Sequence, residues 1–201
     1  MPKSFLSSLP LIILLLFAFN TNAQQQDVVV NLAGDTLKCE IKYNLFSAPV
    51  KYKLAGDSNY KKFNVKEIKY YTCNKLKQVY RAVLMPKQST PVFLLLVENG
   101  ILCLYQRLQY TSTGLGGYTA TIWYISKNND DLNELKSNDL FTSKTRKERK
   151  DIFADLIADK PDVLNYYQNT DKFTFMNLLY TVHYYNTGIL PQQPVQTTNK
   201  P

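Results

Sequence analysis

His183 is the only histidine in the chain, so a Ser-His-Asp or Cys-His catalytic site would have to use it as its base. A Ser-His-Asp or Cys-His site needs an imidazole as its base, and a histidine-based metal site needs several imidazoles. His183 directly follows the apolar Val182 in a segment with helical spacing, a position typical of a structural or exposed histidine. We therefore predict no catalytic residue, no metal site and no cofactor.

Carboxylate pairs offer a second route to catalysis, because glycosidases place two acids across the bond that they cleave. The closest pairs are Asp130 with Asp131, and Asp155 with Asp159. The second pair is one helical turn apart and is expected to share a helix face. Solvation or helix capping explains all four residues without catalysis. A hydrolase of glycans or esters is therefore only an alternative function. It would require two acids in a cleft that also holds aromatic side chains.

The densest charge cluster lies between residues 144 and 150, with five basic residues and one acidic residue. Its cations at the start of a predicted helix oppose the helix dipole. Such a cluster can bind phosphate groups or an acidic glycan, or it can be a solvated face. The predicted anion-binding residues are Lys144, Arg146, Lys147, Arg149 and Lys150.

A glycine-rich segment at residues 114–117 resembles a phosphate-binding loop only in composition. A P-loop continues with Lys-Ser or Lys-Thr and opens a helix, and neither feature follows here. The segment therefore predicts a hairpin connection.

Cys39, Cys73 and Cys103 are the three cysteines. An odd number outside the cytosol allows one disulfide and one thiol, or no disulfide. The wide spacing and the single histidine argue against a metal site. Each cysteine lies in an apolar strand pattern, which favours the role of a small buried hydrophobe.

The N-terminal segment 1–23 has the features of a cleaved secretory signal peptide. Lys3 precedes an apolar run of about 15 residues, and small residues at Thr21 and Ala23 suit signal peptidase. The run is shorter than the ~20 residues of a membrane-spanning helix; an uncleaved anchor is the alternative. Because the first cysteine, Cys39, comes long after the run, we do not predict a lipoprotein. The expected location is periplasmic, outer-membrane-associated or secreted.

The net charge is +8, and removal of Lys3 with the signal peptide lowers it to +7. This charge suits solubility, since lysines alternate with apolar residues along the predicted strands. It also suits an acidic glycan, an anionic membrane surface or an envelope protein as partner. Nucleic acid is not an expected partner after export.

Residues 24–127 predict a β-rich region. The segment 36–43 alternates between apolar and charged residues, as in a half-buried antiparallel strand. Turn residues at Gly34, Gly56 and Asn99-Gly100 separate such segments. Eight or nine short strands in sequence order predict an antiparallel meander that forms a curved sheet or a partial barrel.

Residues 128–187 predict a helical region that packs on this sheet, in one domain with it. A short helical turn is predicted at 130–136, and helices at 146–159, 162–168 and 172–185, the last with Asp171 near its N-cap. Residues 188–201 lack apolar periodicity and predict a disordered tail. The fold class is therefore α+β.

Two segments resemble uncharacterised exported proteins of the Bacteroidota. One is Leu32-x-Gly34-Asp35-Thr36-Leu37, which leads into the strand through Ile41. The other includes Phe153-x-x-Leu156, Asp159-x-Pro161 and Tyr185-Asn186. The resemblance implies an envelope or secreted location and a sheet followed by helices, but no activity.

Together these patterns predict an exported, non-catalytic binding or scaffolding protein of the cell envelope. The carboxylate-dependent hydrolase is one alternative. Peripheral binding to an anionic membrane or acidic glycan through the cluster at 144–150 is the other.

Overall fold

A computed structural model describes residues 26–44, 47–113, 116–139, 144–170 and 173–191. The predicted signal peptide and residues 192–201 of the predicted tail lie outside the described residues, as do Gly114, Asp171 and Lys172. The described chain is an antiparallel β-sheet followed by three helices, which confirms the α+β class.

Among the described residues, ten strands form one sheet, and every pairing in it is antiparallel. They are β1 (Asp27–Asn31), β2 (Thr36–Asn44), β3 (Ser47–Leu54), β4 (Lys61–Lys62), β5 (Ile68–Cys73), β6 (Gln78–Val83), β7 (Val92–Glu98), β8 (Leu102–Thr113), β9 (Gly116–Lys127) and β10 (Asn133–Ser137). A 3₁₀ turn at Asn74–Leu76 joins β5 to β6.

The strand order is β10-β9-β8-β7-β6-β5-β1-β2-β3-β4, and the sheet is open over the described residues. From β5 to β10 the chain forms the predicted meander. The N-terminal part differs, because β1 lies between β2 and β5 instead of at an edge. The expected order of neighbours was therefore wrong at this point.

Strand β10 corrects the prediction of a helical turn at residues 130–136. Residues 133–137 pair with β9, and a bulge occurs between Glu134 and Lys136. Leu135 is the only fully buried side chain of this edge strand. A five-residue strand with one buried residue has too little alternation to be distinguished from a helical turn.

The described part of the chain has three helices, α1 (Arg146–Ile157), α2 (Pro161–Thr170) and α3 (Phe175–Thr187). Helix α1 ends two residues before Asp159, so Asp155 and Asp159 do not share a helix face as predicted. Helix α3 begins at residue 175, where the hydroxyl of Thr174 accepts a hydrogen bond from the Asn177 N–H. The N-cap is thus Thr174 and not Asp171. None of the described helices has the length and apolar character that a membrane crossing needs.

The helices pack on one face of the sheet, here called the helix face. Registered pairs place Val29, Tyr71, Tyr80, Leu95 and Trp123 on this face. The opposite face, here called the far face, carries Tyr105 and Tyr124. The largest core cluster joins the helices to β8, β9 and β10 and includes Leu102, Leu104, Trp123, Ile125, Leu135, Phe153, Ile157, Leu178, Val182 and Tyr185.

A connection, not a helix, covers the helix face near the N-terminus. Phe63 follows β4 and stacks on Tyr71 of β5, with 3.9 Å between ring centroids. It also stacks on Tyr52 of β3 at 4.8 Å. These contacts build a second core cluster, in which Tyr71 is fully buried.

The three cysteines are free and buried in this structure. Burial, reinforced by the charge of Asp27, raises the pKa of Cys39 and of Cys73 to about 12. A thiol with so high a pKa is a poor nucleophile at neutral pH, because the thiolate is the reactive form. Cys103 lies 3.3 Å from the carbonyl oxygen of Gly100.

Asn186 joins α3 to the start of β8 through both backbone groups of Leu102. Its Oδ1 accepts from the Leu102 N–H at 3.0 Å, and its Nδ2 donates to the Leu102 carbonyl at 2.9 Å. Gly100 makes this approach sterically allowed, since a Cβ there would lie 2.3 Å from the Asn186 Cγ.

A second contact links the end of β9 to the helices. Lys127 Nζ lies 2.8 Å from both Asp159 Oδ1 and the Leu156 carbonyl oxygen, and Tyr185 donates to Asp159 Oδ2 at 2.8 Å. The hydrogen bonds from Lys127 and Tyr185 lower the pKa of Asp159. Burial alone would lower the pKa of Lys127, but its hydrogen bonds to Asp159 and Tyr185 raise it overall.

Gly100→Ala is expected to destabilise the fold by about 1–2 kcal/mol, because the new methyl group displaces Asn186 from Leu102 and leaves those backbone groups unpaired. Urea denaturation of the single variants and of the double variant with Asn186→Ala measures the coupling. In the Asn186→Ala background, Gly100→Ala should cost much less. Additive effects would show that Gly100 does not act through Asn186.

Asp159→Asn is expected to lower stability at pH 7 by about 0.5–1 kcal/mol, a small value because the half-exposed carboxylate is screened by solvent. The folded-state pKa of Asp159 lies below its ordinary value of 3.8, so its contribution is present above pH 3.8 and is lost as the pH falls further. Denaturation curves measured from pH 7 to pH 2.5 should show that the difference in unfolding free energy between the wild type and Asp159→Asn becomes smaller. Asp155→Asn is the control. An equal loss of stability in that variant would contradict the stabilising role of the contacts that Asp159 makes.

Candidate ligand-binding cleft

An open cleft of about 1310 Å³ lies between the β6–β7 connection and the β9–β10 connection. Residues 83–88 form one wall and residues 129–134 form the other, while Tyr124 and Lys127 of β9 also line it. Lys144 and Leu156 contribute from the helical segment. The cleft therefore brings together two strand connections and the helices that follow them.

Two buried apolar side chains anchor these connections. Met85 follows β6 and Leu132 precedes β10. Both side chains pack with Tyr105 and Tyr124 on the far face. Met85 is 6% exposed and Leu132 is 5% exposed. Because each wall is attached to the sheet by a buried residue, the residues beside the anchors hold defined positions.

The β9–β10 connection turns sharply at Asn128 and Asn129, whose φ angles are 54° and 63°. Asparagine tolerates this left-handed region better than most residues. The turn is closed by the Asp130 N–H, which donates to the Lys127 carbonyl at 2.9 Å. It places Asp130 and Asp131 at the exposed rim of the cleft.

The cleft combines charges of both signs with apolar surface. Asp130, Asp131 and Glu134 supply carboxylates, and Lys87, Lys127 and Lys144 supply ammonium groups. The apolar part is formed by Val83, Leu84, Met85, Pro86, Leu132 and Leu156. A cavity with apolar walls and a few polar groups is suited to orient a small ligand or a peptide segment.

Tyr124 is the aromatic residue of the cleft. Burial raises its pKa, and the nearby Arg107 acts in the opposite direction through its charge and a hydrogen bond. The phenol is therefore neutral at physiological pH. Because Tyr124 is only 5% exposed, it presents little surface to a ligand and mainly supports the cleft wall together with Met85 and Leu132.

Glu134 is bound to Arg149 of α1 in a buried ion pair. Glu134 Oε1 and Arg149 Nη1 are 3.0 Å apart, and their side chains are 16% and 9% exposed. Arg149 Nη1 also donates to the Lys144 carbonyl, while its Nε has no acceptor among the described residues. Removing one member of a buried pair typically costs about 3–5 kcal/mol. Glu134 thus serves the attachment of α1 to β10.

The two predicted carboxylate pairs have different locations. Asp130 and Asp131 both line the cleft, as does the largely buried Tyr124. Asp155 is exposed on α1, and Asp159 is held by Lys127 and Tyr185. Only the first pair is therefore available to a ligand in the cleft.

The predicted anion-binding cluster is divided by the structure. Arg149 is buried against Glu134, and Lys147 pairs with Asp151 at 2.6 Å. Arg146 is exposed, Lys150 is partly exposed, and Lys144 reaches the cleft. The prediction of an anion site therefore depends on Arg146, Lys147, Lys150 and Lys144 without Arg149.

Helix α1 begins with a capping box, although several basic residues lie in its first turn. Thr145 Oγ1 accepts from the Glu148 N–H, and the Glu148 carboxylate accepts from the Thr145 N–H. The Thr-x-x-Glu spacing was a signal in the sequence for this helix start. The cap stabilises the start of the helix by pairing N–H groups that have no partner within the helix.

His183 lies on α3 and does not line the cleft. Its Nδ1 is 3.2 Å from Glu98 Oε1 on β7, and its side chain is 38% exposed. Within the part of the chain that the structure describes, no group of three or more His, Cys, Asp and Glu side chains could hold a metal ion.

Sequence reasoning identified Asp130 and Asp131 but not the cleft. Its walls are irregular connections, where hydrophobic periodicity carries no information. The one available signal was the length of the segment between β6 and β7, since long connections in compact domains often have a function.

Comparison with known protein families, with curated proteins and with solved structures finds no match for this chain. Its function must therefore be argued from its own side chains.

Proposed function

We propose that this protein is an exported, non-catalytic binding protein of the cell envelope, and that it holds its ligand in the cleft between residues 83–88 and 129–134. The observation that carries the proposal is the composition of this cleft. Charges of both signs and apolar side chains surround an opening wide enough for a small ligand or a peptide segment. The location rests on the signal-peptide features of residues 1–23 and on the resemblance to exported Bacteroidota proteins.

The charged groups of the cleft favour binding over catalysis. Glu134 is neutralised by Arg149, and Lys127 is engaged by Asp159 and the Leu156 carbonyl. Asp130 and Asp131 are adjacent in the sequence and both exposed to solvent, whereas the two carboxyl groups of a glycosidase flank the bond that they cleave.

A carboxylate-dependent hydrolase is the second candidate, and one observation favours it. Asp130, Asp131 and Tyr124 line the same cleft, as a glycan- or ester-processing site would require. In this alternative, one carboxyl would act as the general acid and the other as the base or nucleophile.

Leu84→Arg is expected to block ligand binding without unfolding the protein. Leu84 is 53% exposed on the cleft wall, so the long charged side chain enters the cleft at little cost to the core. Soluble peptidoglycan fragments and envelope oligosaccharides are screened by thermal shift, because a ligand of the native state raises Tm. At least one should raise the Tm of the wild-type protein and not that of Leu84→Arg.

Leu76→Arg is the matched control, since Leu76 is 46% exposed and lies outside the cleft. It should retain the ligand-induced shift. An equal loss in both variants would contradict binding in the cleft. Turnover of p-nitrophenyl glycosides or esters that Asp131→Asn abolishes would contradict the non-catalytic function and support the hydrolase.

Export predicts a mature chain that begins at Gln24. Mass spectrometry of protein from the envelope or the medium should detect this N-terminus. Leu14→Arg should interrupt the apolar run and retain the precursor in the cell, whereas Leu32→Arg, at a 60% exposed position of the described domain, should not. Intact Met1 on wild-type protein from the cell interior would contradict export.

A further inference from the structure

Three lysines lie directly opposite one another on β2, β3 and β4, the three strands at one end of the sheet. Lys42 of β2 pairs in register with Lys51 of β3, and Lys51 pairs with Lys62 of β4. Side chains of residues in direct register point to the same face, with Cβ atoms about 5 Å apart on neighbouring strands. We call these three residues the lysine row.

The lysine row is electrostatically unfavourable within the protein itself. All three side chains are exposed, and none forms an ion pair with a carboxylate of the described residues. Like charges in direct register destabilise a sheet. Their separation is well inside the Debye length of about 10 Å at 0.1 M salt, so salt only partly screens the repulsion.

The neighbouring row shows how the sheet neutralises such charge elsewhere. Glu40 pairs in register with Lys53, and their charged atoms are 3.1 Å apart. Tyr60 donates a hydrogen bond to Glu40, and the Lys53 and Lys42 ammonium groups lie 5.2 and 6.0 Å from its ring centroid. Tyr60 is 37% exposed, so part of an aromatic ring borders the lysine row.

We infer that the lysine row is a binding surface for an acidic polysaccharide, with Tyr60 as the contact for a sugar ring. A polysaccharide that carries repeated sulfate or carboxylate groups supplies anions that can pair with the three ammonium groups. The apolar faces of its sugar rings suit contact with an aromatic ring. The row ends at β4, the edge strand, so a long polymer can continue past the protein.

An anionic membrane is the less suitable partner for this surface. Peripheral attachment combines basic residues with apolar side chains that enter the lipid. Leu37 is the exposed leucine of β2, and it lies on the helix face, since it pairs in register with Val29. The lysine row lies on the far face, where Tyr60 is the neighbouring large ring.

Binding of the mature chain to dextran sulfate, with uncharged dextran of equal length as the ligand control, tests this inference. Replacement of Lys42, Lys51 and Lys62 together by Gln should raise the Kd for dextran sulfate about tenfold, as expected for three exposed ion pairs. The triple variant should retain the far-UV circular dichroism of the wild type, because the row does not stabilise the sheet. Tyr60→Leu should also weaken binding, although the net charge is unchanged.

The matched control is the variant Lys66→Gln, Lys69→Gln, Lys77→Gln, which removes the same charge from exposed positions outside the row and should change the Kd less than twofold. Equal losses in the two triple variants would overturn the inference, because net charge alone would then explain binding. Tighter binding to phosphatidylglycerol vesicles than to dextran sulfate, lost in the lysine-row variant, would overturn it in favour of a membrane.

Discussion

Burial of a single apolar cluster between the helices and strands β8, β9 and β10 is the constraint on which the rest of the structure depends. Trp123 packs edge-on against Phe175 with ring centroids 4.8 Å apart, and Phe153 packs in the same way against Tyr167 at 4.9 Å. Each large side chain buried in this way contributes about 1.5–3 kcal/mol. The helices cover the sheet near β8–β10, and connections cover other parts of it: Phe63 on the helix face, and Met85 and Leu132 on the far face.

The polar contacts around this cluster give the helices one position on the sheet. Asn186 satisfies Leu102 at the start of β8, Asp159 and Lys127 connect the end of α1 to the end of β9, and Arg149 reaches Glu134 at the edge strand. Hydrophobic burial is not directional, whereas these contacts are. These contacts also fix the geometry of the cleft, because Lys127 and Glu134 take part in them and also line the cleft.

Much of the fold follows from periodicity in the sequence, and what does not follow has identifiable physical causes. The alternation at residues 36–43 and the apolar spacing in 146–157 predict β2 and α1 because each element buries one regular face. Strand β10 buries only Leu135, so its pattern is too weak to predict. The position of β1 between β2 and β5 depends on pairing at long sequence separation, to which local patterns are insensitive. Asp130 and Asp131 were candidates by type, but the cleft around them is built from connections.

The lysine row illustrates the same limit for a surface. In the sequence, nothing distinguishes Lys42, Lys51 and Lys62 from the other lysines that alternate with apolar residues. A role in solubility would explain all of these lysines equally well. Only the strand register makes them neighbours, and a shift of one residue in β3 would turn Lys51 to the opposite face. Registered pairs run along the far face from Glu134 and Tyr124 through Tyr105 to Lys38. The lysine row shares this face because Lys42 is four residues from Lys38 on β2. The row and Tyr124 of the cleft therefore share one face of the sheet, whereas Lys127 and Leu156 extend the cleft toward the helix face.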